Sequence, residues 1–313
     1  MLLESSDFTY SIVIPVYNSA PLVGRTVDRV VEVFDEAGLT YEVILVNDGS
    51  HDTSWDVIAD RARTHERVIA INLLRNYGQH RANLAGFREA TGDYVITMDD
   101  DLQNPPEEAL KLIEKAMEGH DVVFGEFERK QAAGYRRIGT RMISAVNRRI
   151  FLQPPDLVVS NHRILHRSVV DRICASRNPH PYITGQALMY SSNRANVSVR
   201  HEPREVGTSN YSFVRILSLV LTILFSYSSW PLRAAALGGF LVAGLSFLLG
   251  AFYLLSALWR DTRVEGWTTL VVLVSVFGGI TIALLSMLGE YVVRTLDAVS
   301  EVDSFHISEK VTG

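Results

Sequence analysis

Three aspartates stand side by side at positions 99–101, directly after an apolar segment. Adjacent carboxylates repel one another, and a bound cation would relieve that repulsion. Hard oxygen ligands of this kind suit Mg²⁺ or Mn²⁺, which in proteins usually also bind substrate phosphates. Side chains at i and i+2 of an extended segment point the same way, so we expect Asp99 and Asp101 to serve one ion while Asp100 faces elsewhere. A solvated acidic turn is the competing interpretation.

A second polar group, Asn47-Asp48-Gly49-Ser50, follows another apolar segment. Asp48 can accept hydrogen bonds from a base or a ribose, and Gly49 allows a backbone to approach a ligand closely. Asp-Gly-Ser is also common in ordinary turns, so both interpretations stay open. The sequence has neither G-x-G-x-x-G after its first strand nor G-x-x-x-x-G-K-[ST] at any position. A phosphate would therefore be bound by a metal ion and by arginines.

Residues 129–167 carry nine lysine and arginine side chains and a single acidic one, Asp156. This is a marked local excess in a chain with a net charge of -5. Arg136 and Thr140 are four residues apart and share a face if the segment is helical. The segment suits an anionic acceptor or the anionic surface of a membrane, and a solvated helix face is the alternative.

The polar groups follow the strands of an alternating strand–helix pattern. Five β-rich apolar segments are separated by segments whose apolar residues recur at helical spacing. Such alternation predicts right-handed crossovers and a mainly parallel sheet in an α/β domain, with ligands beyond the carboxyl ends of the strands. The predicted strands are Tyr10–Val16, Tyr41–Val46, Val68–Leu73, Tyr94–Met98 and Asp121–Gly125, and the predicted helices are Pro21–Ala37, 52–63, Gln79–Ala90 and Pro106–Glu118.

The charges divide the chain of 313 residues into two parts. Residues 216–289 hold five charged side chains, whereas the other 239 residues hold 60, a fraction ordinary for a soluble domain. The soluble part is long enough for one large domain with a full core. The net negative charge argues against a nucleic-acid partner. The single cysteine, Cys174, excludes an intrachain disulfide and a four-cysteine zinc site.

Two uncharged runs, 234–259 and 266–289, are each long enough to cross a hydrocarbon core as a helix. Trp259 and Trp267 flank the short charged loop between them, where interfacial aromatic residues are expected. A third run, 216–232, is shorter. We expect it to lie along the membrane as an interfacial helix, with a third span as the alternative.

Two spans would place both ends of the chain on one side of the membrane. Five arginines and two glutamates between positions 194 and 233 favour the cytoplasmic side. The first ten residues do not have the pattern of a signal peptide. The predicted domains are a cytoplasmic catalytic domain over 1–212, a juxtamembrane interfacial helix over 213–232, a transmembrane hairpin over 233–290 and a cytoplasmic tail over 291–313.

Three ordered motifs resemble those of a known family. SIVIPVYN, VNDGSHD and RNYGQHRANLAGFREATGDYVITMDDDLQNPPEE are similar to motifs of the inverting glycosyltransferases of the GT-A fold that act on polyprenyl phosphates. Dolichyl-phosphate mannose synthases, bactoprenol glucosyltransferases and undecaprenyl-phosphate 4-deoxy-4-formamido-L-arabinose transferases belong to it, and NYGQH and DLQNPPEE are most similar to the last. The resemblance runs from about Ser11 to near Glu290.

The resemblance implies a Rossmann-like GT-A domain on the cytoplasmic side of a multi-pass protein of the inner membrane. It implies a nucleotide-sugar donor, with UDP favoured, a polyprenyl (undecaprenyl) phosphate acceptor and Mg²⁺ or Mn²⁺ as cofactor. The donor residues that it implies are a nucleotide pocket and a D-x-D pair followed by a glutamine. The nucleotide-sugar pocket consists of Pro15, Tyr17, Asp48 and Asp100, and the metal and diphosphate site consists of Asp99, Asp101 and Gln103. Asp100 stands in place of the family's usual small middle residue.

The resemblance also implies a group that grips the acceptor phosphate, which consists of Arg129, Arg136 and Thr140. Arg204 stands in PREVGTSNYSF, similar to R-E-x-G-x-S-K-Y-S-F, the segment with which the family closes over the diphosphate. Asn210 stands where lysine is usual. Residues 155–163 depart from the family's D-x-x-S/C-G/M-x-R stretch near the sugar, in which Asp156 aligns with the aspartate.

The implied reaction is displacement at the anomeric carbon of the sugar, with inversion. The nucleophile is a lipid phosphate oxygen, which is ionised at neutral pH, so no strong general base is required. A processive polysaccharide synthase would carry Q-x-x-R-W, which no glutamine of this sequence begins. A sugar nucleotidyltransferase would carry a glycine-rich loop after the first strand. A catalytically silent membrane scaffold that binds nucleotide-sugar is the alternative from another class, and a homo-oligomer is compatible with the sequence.

Overall fold

The computed structural model of the protein describes residues 7–127, 143–176, 178, 180–202, 213–235, 237–239, 241, 242, 244, 245, 248, 266–299 and 305–313. The chain forms two compact units. One consists of Met1–Val220 together with Asp303–Gly313, and the other consists of Leu221–Val302.

The first unit is built on one eight-stranded sheet with the strand order β7-β5-β6-β4-β1-β2-β3-β8. Strands β1 to β4 are parallel to one another, and β5 is parallel to β7. Strands β6 and β8 run antiparallel to their neighbours. The strands are β1 (Thr9–Val16), β2 (Thr40–Asn47), β3 (Val68–Leu73), β4 (Tyr94–Thr97), β5 (Val122–Phe127), β6 (Arg163–His166), β7 (Arg194–Val199) and β8 (Ile307–Thr312).

Helices cover both faces of this sheet. The first has Pro21 in its first turn, where its fixed φ suits the helix, and its stripe of Val23, Val27 and Val30 is fully buried. Gly38, at φ +64°, follows its end. The helices of this unit are Ala20–Glu36, Ser54–Thr64, Gln79–Glu89, Glu107–Ala116, 143–150, Arg167–Ala175 and Ile183–Tyr190.

The central strand β1 is buried on both faces, as expected for a parallel strand between two layers of helices. Ile12 and Ile14 belong to the core on one face, and Val13 contacts the helix Gln79–Glu89 on the other. The five strands and four helices expected from the sequence are all present, with bounds that differ by at most two residues. Strands β6, β7 and β8 were not expected, because strands of four to six residues carry little periodicity of their own.

The C-terminal residues correct the expected domain boundaries. The sequence assigned 291–313 to a tail outside the catalytic domain, but Ile307–Thr312 is a strand of the sheet and pairs antiparallel with β3. The long apolar helix Trp267–Val299 also extends nine residues past the expected boundary at 290. The chain therefore leaves the sheet domain, passes through the helical unit and returns to the same sheet.

The helical segments are Phe213–Tyr227, the described residues between 230 and 248, and Trp267–Val299. The helix expected over the uncharged run 216–232 ends at Tyr227, and a break at 228–229 separates it from the next helical residues. Within the described residues, one stretch, Val276–Val293, is long and apolar enough to cross a membrane, and none of it is buried. Most of the other expected span, 234–259, lies outside the described residues.

Candidate active site

The polar groups meet where the order of the parallel strands reverses. Strand β1 lies between β2 and β4, so the loops that follow β1 and β4 are neighbours at one edge of the sheet. This is the position at which ligands bind in open α/β sheets. Pro15 is half-buried near the end of β1, and Tyr17, beyond it, is exposed. The expected nucleotide pocket and the three aspartates therefore lie side by side.

Asp99 is held by side-chain amides. Its Oδ1 accepts a hydrogen bond from Gln79 Nε2 at 2.9 Å, and its Oδ2 accepts one from Asn104 Nδ2 at 3.3 Å. Gln79 is fixed in turn, because its Oε1 accepts from Asn161 Nδ2 at 3.2 Å. These amides come from three separate segments of the chain. The sequence analysis gave none of them a role, since no local pattern connects them.

Asp100 faces the neighbouring loop, which follows β1. Its Oδ2 accepts a hydrogen bond from the backbone N–H of Tyr17 at 3.3 Å. The pKa of its carboxyl is raised to about 6, chiefly by burial and to a smaller extent by the charges of Asp99 and Asp101, although hydrogen bonds from Ser19 and Tyr17 lower it. The aspartate run thus connects the ends of β4 and β1.

Asp101 and Gln103 lie in the loop that follows β4. Asp101 is buried and its Oδ1 accepts a hydrogen bond from the backbone N–H of Gln103 at 3.2 Å. Leu102 between them has a φ of +58°, which turns the chain sharply at this point. The turn brings the backbone N–H of Gln103 to the carboxylate of Asp101.

The chemistry of this donor set fits a divalent cation. Mg²⁺ and Mn²⁺ are commonly bound by one or two carboxylates together with substrate phosphates. Asp99 and Asp101 supply two carboxylates, and Gln103 supplies an amide oxygen. Among the described residues, no group of three or more histidine, cysteine, aspartate or glutamate side chains forms a complete metal cage. Water molecules and substrate phosphates commonly supply the other ligands of such an ion.

The segment that follows β7 is hydrogen-bonded to the loop that follows β4. The backbone N–H of Glu202 donates to the carbonyl of Gln103 at 2.8 Å, and Gln103 Nε2 donates to the carbonyl of Glu202 at 3.4 Å. Asn104 Oδ1 lies 3.2 Å from His201 Nδ1, so Asn104 bridges His201 and Asp99. Arg204, two residues further on, lies outside the described residues. Within the described residues, the segment ends at Glu202, beside the expected metal site.

Asp48 is committed to the loop that follows β3. Its two oxygens accept hydrogen bonds from the backbone N–H groups of Tyr77 at 2.7 Å and Gly78 at 2.9 Å. It is 3% exposed, and burial raises the pKa of its carboxyl although these bonds lower it. Asp48 therefore holds this loop beside the expected nucleotide pocket through two hydrogen bonds.

Gly49 serves the same packing. Its φ is +63°, and a Cβ at this position would lie 2.4 Å from the backbone carbonyl carbon of Arg75. The sequence analysis left open whether Gly49 allows the approach of a ligand or belongs to an ordinary turn. In the structure the partner is the backbone of the loop after β3.

The other residues that the sequence analysis singled out do not lie among these contacts. Asp156 is exposed in a turn before β6. Arg129, Arg136 and Thr140, the expected acceptor-phosphate group, lie outside the described residues. Arg163 is fully buried beneath the site, donates to Thr184 Oγ1 at 2.8 Å and has its pKa lowered to about 10 by burial.

A solved structure has the same fold, which is built on a mainly parallel sheet of the GT-A type. Glucosyl-3-phosphoglycerate synthase from Mycobacterium tuberculosis, in complex with Mn²⁺, uridine diphosphate and phosphoglyceric acid, matches with a TM-score of 0.54. It covers 72% of this chain and 81% of its own, at 16% identity. The fold is thus an α/β domain of the GT-A type.

The sequence profile of glycosyl transferase family 2 matches residues 11–174. The chain therefore belongs to this family and is a glycosyltransferase. Undecaprenyl-phosphate 4-deoxy-4-formamido-L-arabinose transferase of Proteus mirabilis is 33% identical over 309 residues, 97% of this chain and 94% of its own. The protein of that name from Pseudomonas fluorescens is 37% identical over 306 residues, 96% and 89% of the two chains. Both similarities extend through the helical unit.

Proposed function

We propose that this protein transfers a sugar from a nucleotide-sugar to a polyprenyl phosphate, with inversion at the anomeric carbon. The observation that carries the proposal is the junction of Asp99 and Asp101 with the 200–202 segment at the reversal of strand order. This junction offers a diphosphate two cation-binding carboxylates and a chain segment that leads directly to Arg204. UDP is the nucleotide proposed, and undecaprenyl phosphate is the acceptor.

The acceptor is inferred from the extent of the similarity. The relatives named as undecaprenyl-phosphate transferases align with this chain over 94% and 89% of their own lengths. The alignment therefore includes the apolar helices as well as the soluble domain. A lipid acceptor accounts for a catalytic domain that is joined to such helices, because its phosphate lies at the surface of a bilayer.

The chain's own residues have to position two anionic substrates and offset their charge. Asp99 and Asp101, fixed by amides, would hold the cation with Gln103, and Arg204 would approach the diphosphate from the 200–202 segment. A bound Mg²⁺ or Mn²⁺ would stabilise the leaving nucleotide diphosphate. Arg129, Arg136 and Thr140 are proposed to bind the acceptor phosphate, whose oxygen attacks the sugar without a strong general base.

We also propose that the protein crosses the cytoplasmic membrane twice, with its catalytic domain on the cytoplasmic side. The pairing of β8 with β3 supports an even number of crossings, because strands of one sheet lie on one side of a membrane. Val276–Val293 supplies one candidate crossing. A second crossing must then lie elsewhere between 221 and 302, and the uncharged run 234–259 is the segment proposed for it.

Transfer of a radiolabelled sugar from a UDP-sugar to undecaprenyl phosphate by the purified full-length protein tests the proposal. We expect a labelled lipid product that is labile to mild acid and absent when the lipid is omitted. Nucleotide binding without transfer to any polyprenyl phosphate would favour the scaffold alternative. Thermal stabilisation by UDP, GDP and dTDP in the presence of Mn²⁺ would identify the nucleotide and so restrict the set of sugars to be tried.

The metal role makes a separate prediction. Asp101→Asn keeps the volume of the side chain but removes a ligand charge, and we expect the transfer rate to fall by about 100-fold or more. Excess EDTA should have the same effect on the unmodified protein. Asp60→Asn, on an exposed part of the helix Ser54–Thr64, is the matched control and should leave the rate unchanged. Full activity of Asp101→Asn, or in EDTA, would exclude the metal role.

A further inference from the structure

The end of β3 is hydrogen-bonded to β8 and to the residue that precedes it. The backbone N–H of Leu74 donates to the carbonyl of His306 at 2.9 Å. Ser308 Oγ donates to the carbonyl of Asn72 at 3.0 Å, across a sequence separation of 236 residues. The pairing register of β3 with β8 shifts between Asn72 and Leu73, so these two bonds hold the chain where the regular ladder is interrupted.

The loop that begins at this point borders the expected nucleotide pocket. Its Tyr77 and Gly78 N–H groups bind the carboxylate of Asp48. The same strand end is tied to β2, because Asn47 Nδ2 donates to Asn72 Oδ1 at 2.7 Å. The strand end from which this loop starts is therefore hydrogen-bonded on both sides, to the end of β2 and to the edge strand β8.

The last strand is itself anchored to the helix Gln79–Glu89, which begins at the site. Phe305 is 5% exposed, and the guanidinium of Arg88 lies 4.9 Å from the centre of its ring. Lys310 forms an ion pair with Glu89. Because β8 is held near both of its ends, its hydrogen bonds can fix the position of the end of β3.

We propose that the C-terminal strand is a positioning element of the donor pocket, with Ser308 and the carbonyl of His306 as its contacts. They fix Asn72–Leu74, and through this strand end they fix the Tyr77 and Gly78 N–H groups that hold Asp48. The inference rests on the proposed function only in naming the loop's ligand as the donor nucleotide. The residues involved are positioning residues, since none of them touches a reacting atom.

The test is hydrogen–deuterium exchange of the 74–80 segment in Ser308→Ala, with the full-length protein. The variant loses the bond to the Asn72 carbonyl, and loss of one net hydrogen bond corresponds to about a threefold increase in exchange at Tyr77 and Gly78. The dissociation constant for UDP in the presence of Mn²⁺ should rise by a similar factor. Ser308→Thr keeps the hydroxyl and suits a strand, so it should restore both values. Glu309→Ala, an exposed neighbour on the same strand, is the control.

Unchanged exchange of the loop in Ser308→Ala would overturn the proposal. A lower melting temperature with unchanged loop exchange would also overturn it, because the strand would then support only the fold. A second variant that ends at residue 304 should show the larger loss of protection at 74–80. The exchange measurement requires neither donor nor lipid, so failure of sugar transfer would refute the proposed function and leave this result standing.

Discussion

At the scale of single residues, the site depends on amides that fix carboxylates. Asp99 contacts Gln79 and Asn104, and Asn104 also reaches His201. Amides can orient a carboxylate without neutralising it, so its charge remains available to a cation. The aspartates were evident from the sequence because three in a row are unusual. The amides were not, since their role depends on contacts between distant segments.

The bridging position of Asn104 predicts a loss of activity that exceeds its effect on stability. Asn104→Ala removes the bond to Asp99, and we expect the kcat/KM for the nucleotide-sugar to fall by about tenfold, because hydrogen bonds to charged groups are worth about 1.5–3 kcal/mol. Steady-state transfer kinetics measures the change.

Asn193→Ala provides the matched control for that measurement. Asn193 also bonds to a histidine, His120, at 2.8 Å, but it precedes β7 at the opposite end of the strands. We expect this variant to lose some stability and to keep its kcat/KM. Equal losses of activity in the two variants would contradict the role given to Asn104.

At the scale of elements, the pocket is formed by loops that brace one another. The loop after β2 contributes Asp48 and Gly49, which hold and accommodate the loop after β3. The loop after β4 contributes Asp100, which binds the loop after β1. The strands that carry these loops were predictable, because their apolar runs and the helices between them have clear periods. The bracing depends on strand order, which no local pattern specifies.

Gly49 offers a test of this bracing. Gly49→Ala would place a Cβ 2.4 Å from the backbone of Arg75 at a φ of +63°. We expect a loss of stability of ~3 kcal/mol or more, measured by chemical denaturation, together with weaker UDP binding.

Gly119→Ala separates the strain of the backbone from the clash. Gly119 has a φ of +94°, and a Cβ there meets nothing within 4 Å. Its substitution should cost only about 1–2 kcal/mol and leave UDP binding unchanged. A Gly49→Ala variant as stable as Gly119→Ala would mean that the loop after β3 is not packed as described.

At the scale of the whole molecule, the two ends of the chain meet in one sheet. The return of β8 to β3 makes the catalytic domain dependent on a segment that follows the long apolar helix. Under the proposed topology, the stability of this domain would be coupled to the membrane insertion of that helix. Such a contact between distant parts of a chain has no local signature, and the sequence analysis treated this segment as a separate tail.

The proposed topology predicts a labelling pattern for introduced cysteines. In a Cys174→Ser background, Glu66→Cys and Glu309→Cys should react from the same side of the membrane, because both positions belong to the sheet domain. Asp261→Cys, in the loop expected between the two spans, should react from the opposite side. The measurement is labelling by an impermeant maleimide in intact cells and in inverted vesicles. Reaction of all three positions from one side would contradict two crossings.

The sequence by itself determined the α/β class, the five leading strands, the aspartates at the end of β4 and the presence of a strongly apolar segment. These features depend on local patterns: the spacing of apolar residues indicates helices and strands, and a cluster of charged residues indicates a site. Only the tertiary structure decided that Asp48 holds a loop, that Asn104 links Asp99 to His201 and that the last strand completes the sheet. Each of these depends on residues that are distant in sequence and are brought together by the order of the strands.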